Sequence, residues 1–329
     1  MELFEDKTNI APPLSEGAGG RLGVLLINMG SPLSRKEMRE FLFNMFTDKA
    51  ILPFPKLPRT LLALMISTFR SPGSWKKYEL IGGSKLMQSM QLINDQLSAE
   101  LGVGYFVTSA YSYSRPSIRQ GIETLRAKGI TDIKVITMYP HSAFSTTGSV
   151  QTDLQQVQQR YPELTIQELG TYGEDEHFIA YWVDIIQKAI AEKGYKKPTL
   201  VFSAHSIPQY NVDDGDTYVE EIKASARLIS EKLGVAHRVA FQSKIGRIKW
   251  VDPDTKDCLK AMKAEGVDEI MLVPISFTNE NLETAYDQGC EIVPYGKDEL
   301  GFQYICRVKI PASHPELIEI LKNRIMIDC

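Results

Sequence analysis

The sequence is poor in cysteine, and its cysteines do not form closely spaced pairs. The 329 residues include only four of them, Cys258, Cys290, Cys306 and Cys329. This spacing argues against a structural zinc site, which commonly uses Cys-x-x-Cys pairs, and against a framework of disulfide bonds. We therefore expect the chain to work in a reducing compartment, which favours the cytoplasm.

A long apolar run and an excess of basic residues are also missing. No uncharged apolar run reaches the roughly 18 residues that a membrane-spanning helix requires. The chain has 37 Lys and Arg against 41 Asp and Glu, so no basic surface for binding nucleic acid is expected. Residues 1–20 lack the apolar core of a signal peptide and are predicted to form a flexible leader.

Short apolar runs rich in β-branched residues alternate with helical patterns along the chain. The predicted strands cover residues 23–30, 104–113, 133–140, 198–205, 238–243 and 269–276. Several of the helical segments between them end in Gly, which often terminates a helix. Continuous apolar strands that alternate with helices predict an α/β fold, doubly wound, with parallel sheets covered on both faces.

The chain is longer than a single hydrophobic core usually allows. We predict two similar Rossmann-like domains, residues 21–170 and 171–329, each with its own core, and we expect the last helix to pack back on the first domain. Residues 125–142 and 262–277 share a helix end, a Gly and a strand that leads into a polar loop. Repeated αβ units within one domain give the same pattern, so duplication of the domain stays open.

Residues 41–69 differ from the rest of the chain. They are rich in Phe, Met, Leu and Pro and show little helical or strand regularity. One interpretation is a helix buried in the first domain. The other is an exposed apolar lip that contacts a greasy ligand or a membrane surface.

Open α/β sheets bind ligands at the carboxyl ends of their strands. Four polar loops follow predicted strands, at residues 29–32, 141–149, 205–208 and 277–284. His205 ends its strand and is therefore the first candidate for chemistry, although most lone histidines are packing residues. His141 also follows a strand end and is the second candidate.

Three carboxylates recur every four residues in a predicted helix over 279–291. Glu283, Asp287 and Glu291 share one face of that helix. A solvated acidic face is the ordinary explanation of such a row. However, like charges at this spacing destabilise a helix by a few tenths of a kcal/mol per pair, and no Lys or Arg lies between them. The row therefore also fits a role in meeting cations or passing protons.

Six segments resemble, in order, motifs of the ferrochelatases. They read GVLLINMGSP, YELIGGSKL, YPHSAFSTTGS, FSAHSIP, FQSKIGRIKWVDPDT and FTNENLETAYD. The resemblance extends from residue 23 to about 315. It aligns His205 with the active-site histidine of the family and Glu283 with its essential glutamate. Asp287 and Glu291 fall on the family's acidic row.

The resemblance implies an enzyme that inserts ferrous iron into protoporphyrin IX in a cleft between the two domains, releasing two protons to form haem. It implies that His205 accepts a proton and that Glu283 takes protons or steers the metal. Either of them is a candidate for contact with the metal. Asp287 and Glu291 would form a proton relay behind them.

Further expectations follow from the same resemblance. The residues expected to bind the porphyrin are Met29, Ser31, Tyr113, His141, Ser142 and Ser206. No tightly bound cofactor is expected, and the four cysteines do not form the C-terminal cluster that binds an iron–sulfur centre in some members. We expect a cytoplasmic monomer or homodimer, with peripheral contact of residues 41–69 with the inner face of the membrane as one expectation.

The sequence departs from the family pattern at several positions. Ser112 stands where the family motif RYxxP has its arginine, and Arg115 lies three residues later. Other departures are Lys85, His141, Ser142, Ala143, Ser206 and Asn281. These changes leave open a coproporphyrin III ferrochelatase or a non-catalytic tetrapyrrole-binding protein. A cobalt chelatase is disfavoured by the small number of histidines, and a solute-binding protein by the missing secretion signal.

Overall fold

The computed structural model describes residues 21–244, 246 and 248–327, so the leader predicted for residues 1–20 lies outside the described residues. The strands are β1 (Leu22–Asn28), β2 (Tyr105–Tyr111), β3 (Asp132–Thr137), β4 (Thr165–Glu168), β5 (Thr199–His205), β6 (His237–Gln242), β7 (Glu269–Val273) and β8 (Tyr304–Arg307). The helices are α1 (Arg35–Thr47), α2 (Lys56–Leu80), α3 (Leu86–Leu101), α4 (Ile118–Arg126), α5 (Thr147–Arg160), α6 (Glu176–Lys193), α7 (Gln209–Asp213), α8 (Tyr218–Leu233), α9 (Thr255–Ala264) and α10 (Pro315–Met326). Two π-helices follow β7, π1 (Glu283–Ile292) and π2 (Tyr295–Glu299).

The strands form two four-stranded parallel sheets. Their orders are β2-β1-β3-β4 and β6-β5-β7-β8, so the two sheets have the same topology. The similar segments noted in the sequence form α4 with β3 and α9 with β7, which occupy equivalent places in the two sheets. The predicted α/β class with parallel sheets is confirmed.

All six predicted strands are present, with bounds that differ by a few residues. The sequence analysis missed β4 and β8, which lie at the edges of their sheets. Most residues of β4 are exposed and none of those in β8 is fully buried. An edge strand with a solvated face lacks the continuous apolar run that identifies a buried parallel strand.

The prediction of two separate hydrophobic cores is wrong. One cluster contains Leu26 of β1, Phe202 of β5 and Met271 of β7, so it joins the inner faces of both sheets. The helices α3, α6, α8 and α10 contribute to the same cluster. The outer face of each sheet has its own smaller cluster. The two halves are therefore held together by shared apolar burial.

The last helix, α10, packs against α3 and α6. Near its end, the buried Lys134 of β3 donates from Nζ to the carbonyl oxygen of Ile325 at 2.6 Å. Lys322 forms an ion pair with Glu100 of α3 at 3.2 Å. These contacts tie the end of the described chain to the first sheet. The domain boundary near residue 170 stays a prediction.

Residues 41–69 fall mainly into two helices, so the expectation of little helical regularity is wrong. The α1 helix buries Met38, Phe41, Leu42 and Phe46, whereas α2 leaves large apolar side chains exposed at Leu57, Leu61, Leu64, Met65 and Phe69. We call these five residues the apolar lip. In the described part of the chain, no helix combines the length and apolar character needed to cross a bilayer.

A histidine on α6 pairs with a carboxylate at the start of α10. His177 Nδ1 lies 2.7 Å from Glu316 Oε2, and this hydrogen bond raises the pKa of His177. The pKa of His177 is higher in the folded protein than in the unfolded chain, where it is about 6.5. The pair therefore stabilises the folded protein fully below pH 6.5, and this contribution is lost as the pH rises through the folded-state pKa. We expect His177→Gln to lower the free energy of unfolding by up to about 1 kcal/mol at pH 5.5 and by much less at pH 8.5, as measured by urea denaturation.

The matched control for this pair is Glu316→Gln. Combined with His177→Gln, it should cause no further loss that depends on pH, since the partner is already absent. An equal effect of His177→Gln at both pH values would contradict this role of the pair.

Candidate active site

His205 is the last residue of β5, at the carboxyl edge of the second sheet. Its side chain is partly buried, and its Nδ1 lies 2.7 Å from the carbonyl oxygen of Ser206. With a proton on Nδ1 donated to this oxygen, Nε2 carries a lone pair. The strand end thus presents an imidazole nitrogen that can accept a proton or bind a metal ion.

Glu283 begins π1, on the segment that follows β7. Burial raises the pKa of this carboxyl group, while the nearby charge of His205 lowers it and that of Asp287 raises it further. The structure therefore brings His205 and Glu283 into one electrostatic environment, as the sequence predicted. A carboxyl group with a raised pKa beside an imidazole is a common arrangement in acid–base chemistry.

The acidic row lies on a helix, as predicted, and this helix is a π-helix. Glu283 and Asp287 are partly buried, whereas Glu291 is exposed, so the row runs outward to solvent. Ser243 donates from Oγ to Asp287 Oδ2 at 2.7 Å. Ser243 has a φ of 66°, which is costly for a residue with a side chain. π-Helices and such backbone conformations both concentrate at functional sites.

The acidic row has a basic partner that the sequence analysis did not identify. Lys77 Nζ lies 3.7 Å from Asp287 Oδ1 and 3.5 Å from Glu291 Oε1. It also lies 4.4 Å from the centre of the Tyr286 ring. Because Lys77 is on α2, more than 200 residues away in the sequence, it is not visible in the local charge pattern. This lysine connects the helix of the apolar lip to the outer part of the acidic row.

A buried polar network fixes β5 relative to π1. Ser203 donates from Oγ to Gln242 Oε1 at 2.8 Å, and Gln242 donates from Nε2 to the carbonyl oxygen of Glu283 at 3.3 Å. Gln288 of π1 donates from Nε2 to the carbonyl oxygen of Ser203 at 3.1 Å. Largely buried polar networks of this kind restrict the relative placement of the elements they join. These hydrogen bonds fix the position of π1, which carries Glu283, relative to β5, which carries His205.

The loop before π1 is also anchored. Glu280 Oε1 accepts hydrogen bonds from Arg307 Nη1 at 2.6 Å and from the backbone N–H of Ile310 at 2.9 Å. Asn28, at the end of β1, donates from Nδ2 to Asn279 Oδ1 at 3.0 Å. The last bond joins the two sheets at their carboxyl edges. It places the loop that leads to Glu283 beside the loop that follows β1.

Three of the predicted porphyrin-binding residues lie where the first sheet meets α1 and α2. Met29 is partly buried against a cluster of apolar side chains from α1 and α2. Tyr113 donates its hydroxyl to Asp48 Oδ2 at 2.8 Å. The hydroxyl of Ser31 is buried without a hydrogen-bond partner among the described residues. Their contact with a porphyrin stays a prediction.

The other three predicted porphyrin-binding residues are engaged elsewhere. His141 is buried in the core, where Nε2 lies 2.9 Å from Ser225 Oγ and burial lowers its pKa to about 3. Contact of His141 with a substrate stays a prediction. Ser206 is also buried and donates its hydroxyl to the carbonyl oxygen of Val251 at 3.1 Å. The hydroxyl of Ser142 lies 3.3 Å from that of Thr147.

Two tyrosines near Glu283 escaped the sequence analysis. Burial raises the pKa of Tyr78 on α2, and the charge of Glu283 raises it further. The pKa of Tyr139, just after β3, is also raised, mainly by burial and further by the charges of Asp48 and Glu283. Both therefore stay protonated at neutral pH. Tyr78 is the first residue of the family motif YELIGGSKL, so its place in that motif could have identified it as a candidate.

The charge that the sequence places at Arg115 does not enter this site. Arg115 Nη2 lies 3.1 Å from Glu40 Oε1, and both side chains are largely exposed. Arg115 therefore does not replace the positive charge that the family motif has at residue 112.

A family model covers nearly the whole of the described chain. The family model described as Ferrochelatase matches residues 21–327. The chain belongs to the ferrochelatase family. It is therefore a metal chelatase, a lyase that inserts iron into a porphyrin.

Individual ferrochelatases support this assignment along most of the chain. The ferrochelatase of Desulfotalea psychrophila is 36% identical over 270 residues, which cover 80% of this chain and 84% of that protein. That of Geotalea daltonii is 32% identical over 306 residues, covering 92% and 96%. That of Synechocystis sp. is 33% identical over 322 residues, covering 93% and 82%.

Two solved structures share the fold of this ferrochelatase. The sirohydrochlorin chelatase SirB from Bacillus subtilis subspecies spizizenii in complex with cobalt aligns with a TM-score of 0.57 at 14% identity, covering 92% of this chain and 93% of SirB. CbiX, described as the terminal enzyme for biosynthesis of siroheme in denitrifying bacteria, aligns with a TM-score of 0.51 at 11% identity, covering 94% and 99%. At these identities the likeness concerns the fold alone.

Proposed function

We propose that this ferrochelatase inserts ferrous iron into protoporphyrin IX and so forms haem. The observation that supports this choice of porphyrin is the missing positive charge at residue 112. Ser112 replaces the arginine of the family motif, and Arg115 pairs with Glu40 at the surface. Protoporphyrin has two propionates and two vinyl groups, whereas coproporphyrin III has four propionates. The less anionic, more apolar porphyrin suits a cleft bordered by the apolar lip.

His205 is proposed as the proton acceptor for the pyrrole nitrogens. Its Nδ1 is engaged by the carbonyl oxygen of Ser206, which fixes the ring and leaves Nε2 for the substrate. A neutral imidazole accepts protons near physiological pH. The side chain also comes from a strand end rather than from a long loop, so it is held in place by the sheet.

Glu283 is proposed to meet the iron on the other side of the macrocycle. Its carboxylate oxygens are suitable ligands for a hydrated divalent cation that must be released again within each turnover. The buried network through Gln242 and Gln288 holds its helix at a fixed distance from β5. Apolar contacts of the rest of the macrocycle would supply the binding energy that bends the ring and exposes the nitrogen lone pairs.

Asp287 and Glu291 are proposed to connect Glu283 with solvent. Lys77 forms ion pairs with both of these carboxylates. An incoming metal ion therefore has to displace the lysine from them. We expect Lys77→Met to lower the KM for the metal by up to about fivefold, which corresponds to the loss of one partly exposed ion pair. Steady-state assays with zinc and saturating porphyrin measure this change.

Lys77→Arg is the matched control for this prediction. It keeps the positive charge and should leave the KM near that of the wild type. A KM that rises in Lys77→Met would contradict the competition between lysine and metal.

The apolar lip is proposed to rest on a membrane surface. Its five side chains are exposed on one helix, and Lys56 and Arg59 at the start of that helix can meet anionic headgroups. In cosedimentation with vesicles of phosphatidylglycerol and phosphatidylcholine, we expect Leu61→Glu combined with Met65→Glu to lose binding. Val103→Glu, at a residue that is 89% exposed elsewhere on the surface, should keep it. Equal binding by both variants would contradict a role of the lip.

The porphyrin is identified by anaerobic insertion of ferrous iron, with zinc as a second metal, into protoporphyrin IX and coproporphyrin III in parallel. The absorbance change of the macrocycle reports the product. We expect a kcat/KM that favours protoporphyrin. Preference for coproporphyrin III would overturn the choice of substrate, and binding of both without turnover would indicate a tetrapyrrole-binding protein.

A further inference from the structure

Thr284, the residue after Glu283, is fully buried at the start of π1. Because its side chain has no exposed surface, it does not touch a porphyrin or a metal ion, and the reaction proposed above does not use it. Its hydroxyl group nevertheless accepts one hydrogen bond and donates another, both within residues 280–284. These contacts therefore concern the placement of Glu283.

Thr284 and Asn281 form a reciprocal pair around Glu283. The backbone N–H of Thr284 donates to Asn281 Oδ1 at 2.9 Å, and the backbone N–H of Asn281 donates to Thr284 Oγ1 at 3.0 Å. This is the pattern of a capping box, which satisfies backbone donors where a helix begins and fixes how the chain enters it. Glu283 lies inside the four-residue turn that the pair closes.

A largely buried ion pair fixes the orientation of the Thr284 hydroxyl group. Thr284 donates from Oγ1 to Glu280 Oε2 at 2.6 Å, while Glu280 Oε1 accepts from Arg307 Nη1 and from the backbone N–H of Ile310. The side chains of Glu280 and Arg307 are 18% and 11% exposed. Since a carboxylate only accepts hydrogen bonds, the hydroxyl group has to be the donor. The last residue of β8 is thus connected through Glu280 to the turn that holds Glu283.

Loss of the Thr284 hydroxyl group would leave two polar groups without this partner. The backbone N–H of Asn281 would lose its acceptor, and Glu280 Oε2 would lose its donor. A buried polar group without a partner is costly, and a shift of the turn relieves that cost. Such a shift moves Glu283, and a reacting group that is displaced by about 1 Å can lower a rate by about 100-fold.

We propose that Thr284 is a positioning residue for metal insertion. Its hydroxyl group couples the Glu280–Arg307 ion pair to the turn closed by Asn281 and so sets the position of the Glu283 carboxylate. The inference rests on the proposed function, in which that carboxylate meets the iron. The reaction therefore requires a buried hydroxyl group next to the glutamate in addition to the carboxylate itself.

The test uses the full-length enzyme with zinc and with protoporphyrin IX or coproporphyrin III, whichever porphyrin the wild type turns over. Thr284→Val replaces the hydroxyl group by a methyl group of similar size. We expect it to lower kcat by roughly 10-fold to 100-fold, with little change in the KM for the porphyrin. Thr284→Ser keeps the hydroxyl group and should retain most of kcat. Asn281→Ala, at a partly buried residue, removes the other half of the pair and should also lower kcat, so the test does not depend on one variant.

A double substitution separates positioning from a general structural effect. If the hydroxyl group acts only through the carboxylate of Glu283, Thr284→Val should cause little further loss in the Glu283→Gln background. Single turnovers with enzyme in excess measure the residual insertion. As a control for lost stability, Asp175→Ala removes the side chain that caps α6 and should leave kcat near that of the wild type.

Unchanged kcat in both Thr284→Val and Asn281→Ala, with an active wild type, would overturn the positioning role. An undiminished loss from Thr284→Val in the Glu283→Gln background would overturn it as well, because the hydroxyl group would then act independently of Glu283. Either result leaves the proposed function intact. A wild type that inserts no metal into either porphyrin would instead refute the proposed function.

Discussion

His205→Ala is expected to lose metal insertion by at least about 100-fold, the usual contribution of a general base. The variant lacks the imidazole Nε2 that is proposed to take the pyrrole proton, and His141, the second candidate, is buried in the core. Porphyrin binding should change little, since most of the contact area comes from the apolar walls. Single-turnover absorbance measures insertion, and quenching of tryptophan fluorescence measures binding.

His237→Gln is the control for this substitution. His237 lies at the exposed start of β6, at the opposite end of the sheet from the cleft, and its loss should leave turnover unchanged. Turnover by His205→Ala within a few fold of the wild type would remove this residue from the reaction.

Glu283→Gln is expected to reduce metal insertion by a factor of about 100 to 10,000. The amide keeps the size of the side chain but can neither carry the negative charge that attracts the metal nor accept a proton. Since the backbone carbonyl of Glu283 still accepts from Gln242, π1 should keep its position. Anaerobic assays with ferrous iron and with zinc should show the same loss of kcat.

Glu291→Gln provides the matched control, at the exposed end of the same row. Because this carboxylate is already paired with Lys77 and is open to water, we expect kcat to fall less than about threefold. Equal losses at residues 283 and 291 would show that only the total charge of the row matters. A Glu283→Gln variant that keeps full activity would contradict the assigned role directly.

The fold class was predictable because the central strands are buried on both faces. β1 and β5 are almost fully buried, and their continuous apolar sequences are typical of parallel sheets. The α2 helix was not predictable from local pattern, because Pro72 and Gly73 lie inside it and usually mark a break. The shared core was missed because it depends on how two sheets pack, which local patterns do not encode.

The site was predictable only where one residue is marked by its place in a motif. His205 ends β5, Glu283 comes after β7, and both lie in family motifs. The structure places them in one electrostatic environment. Lys77, Tyr139 and Gln242 come from distant parts of the chain, so their proximity required the tertiary fold. The positive φ of Ser243 could not be predicted either, because serine rarely adopts this backbone conformation.

The most direct test of the central claim is a crystal structure of the enzyme with metal-free protoporphyrin IX. We expect the macrocycle to lie in the cleft bordered by the apolar lip, with its pyrrole nitrogens within hydrogen-bond reach of His205 Nε2 on one face and with Glu283 on the other. A porphyrin bound away from both residues would contradict the account of this site.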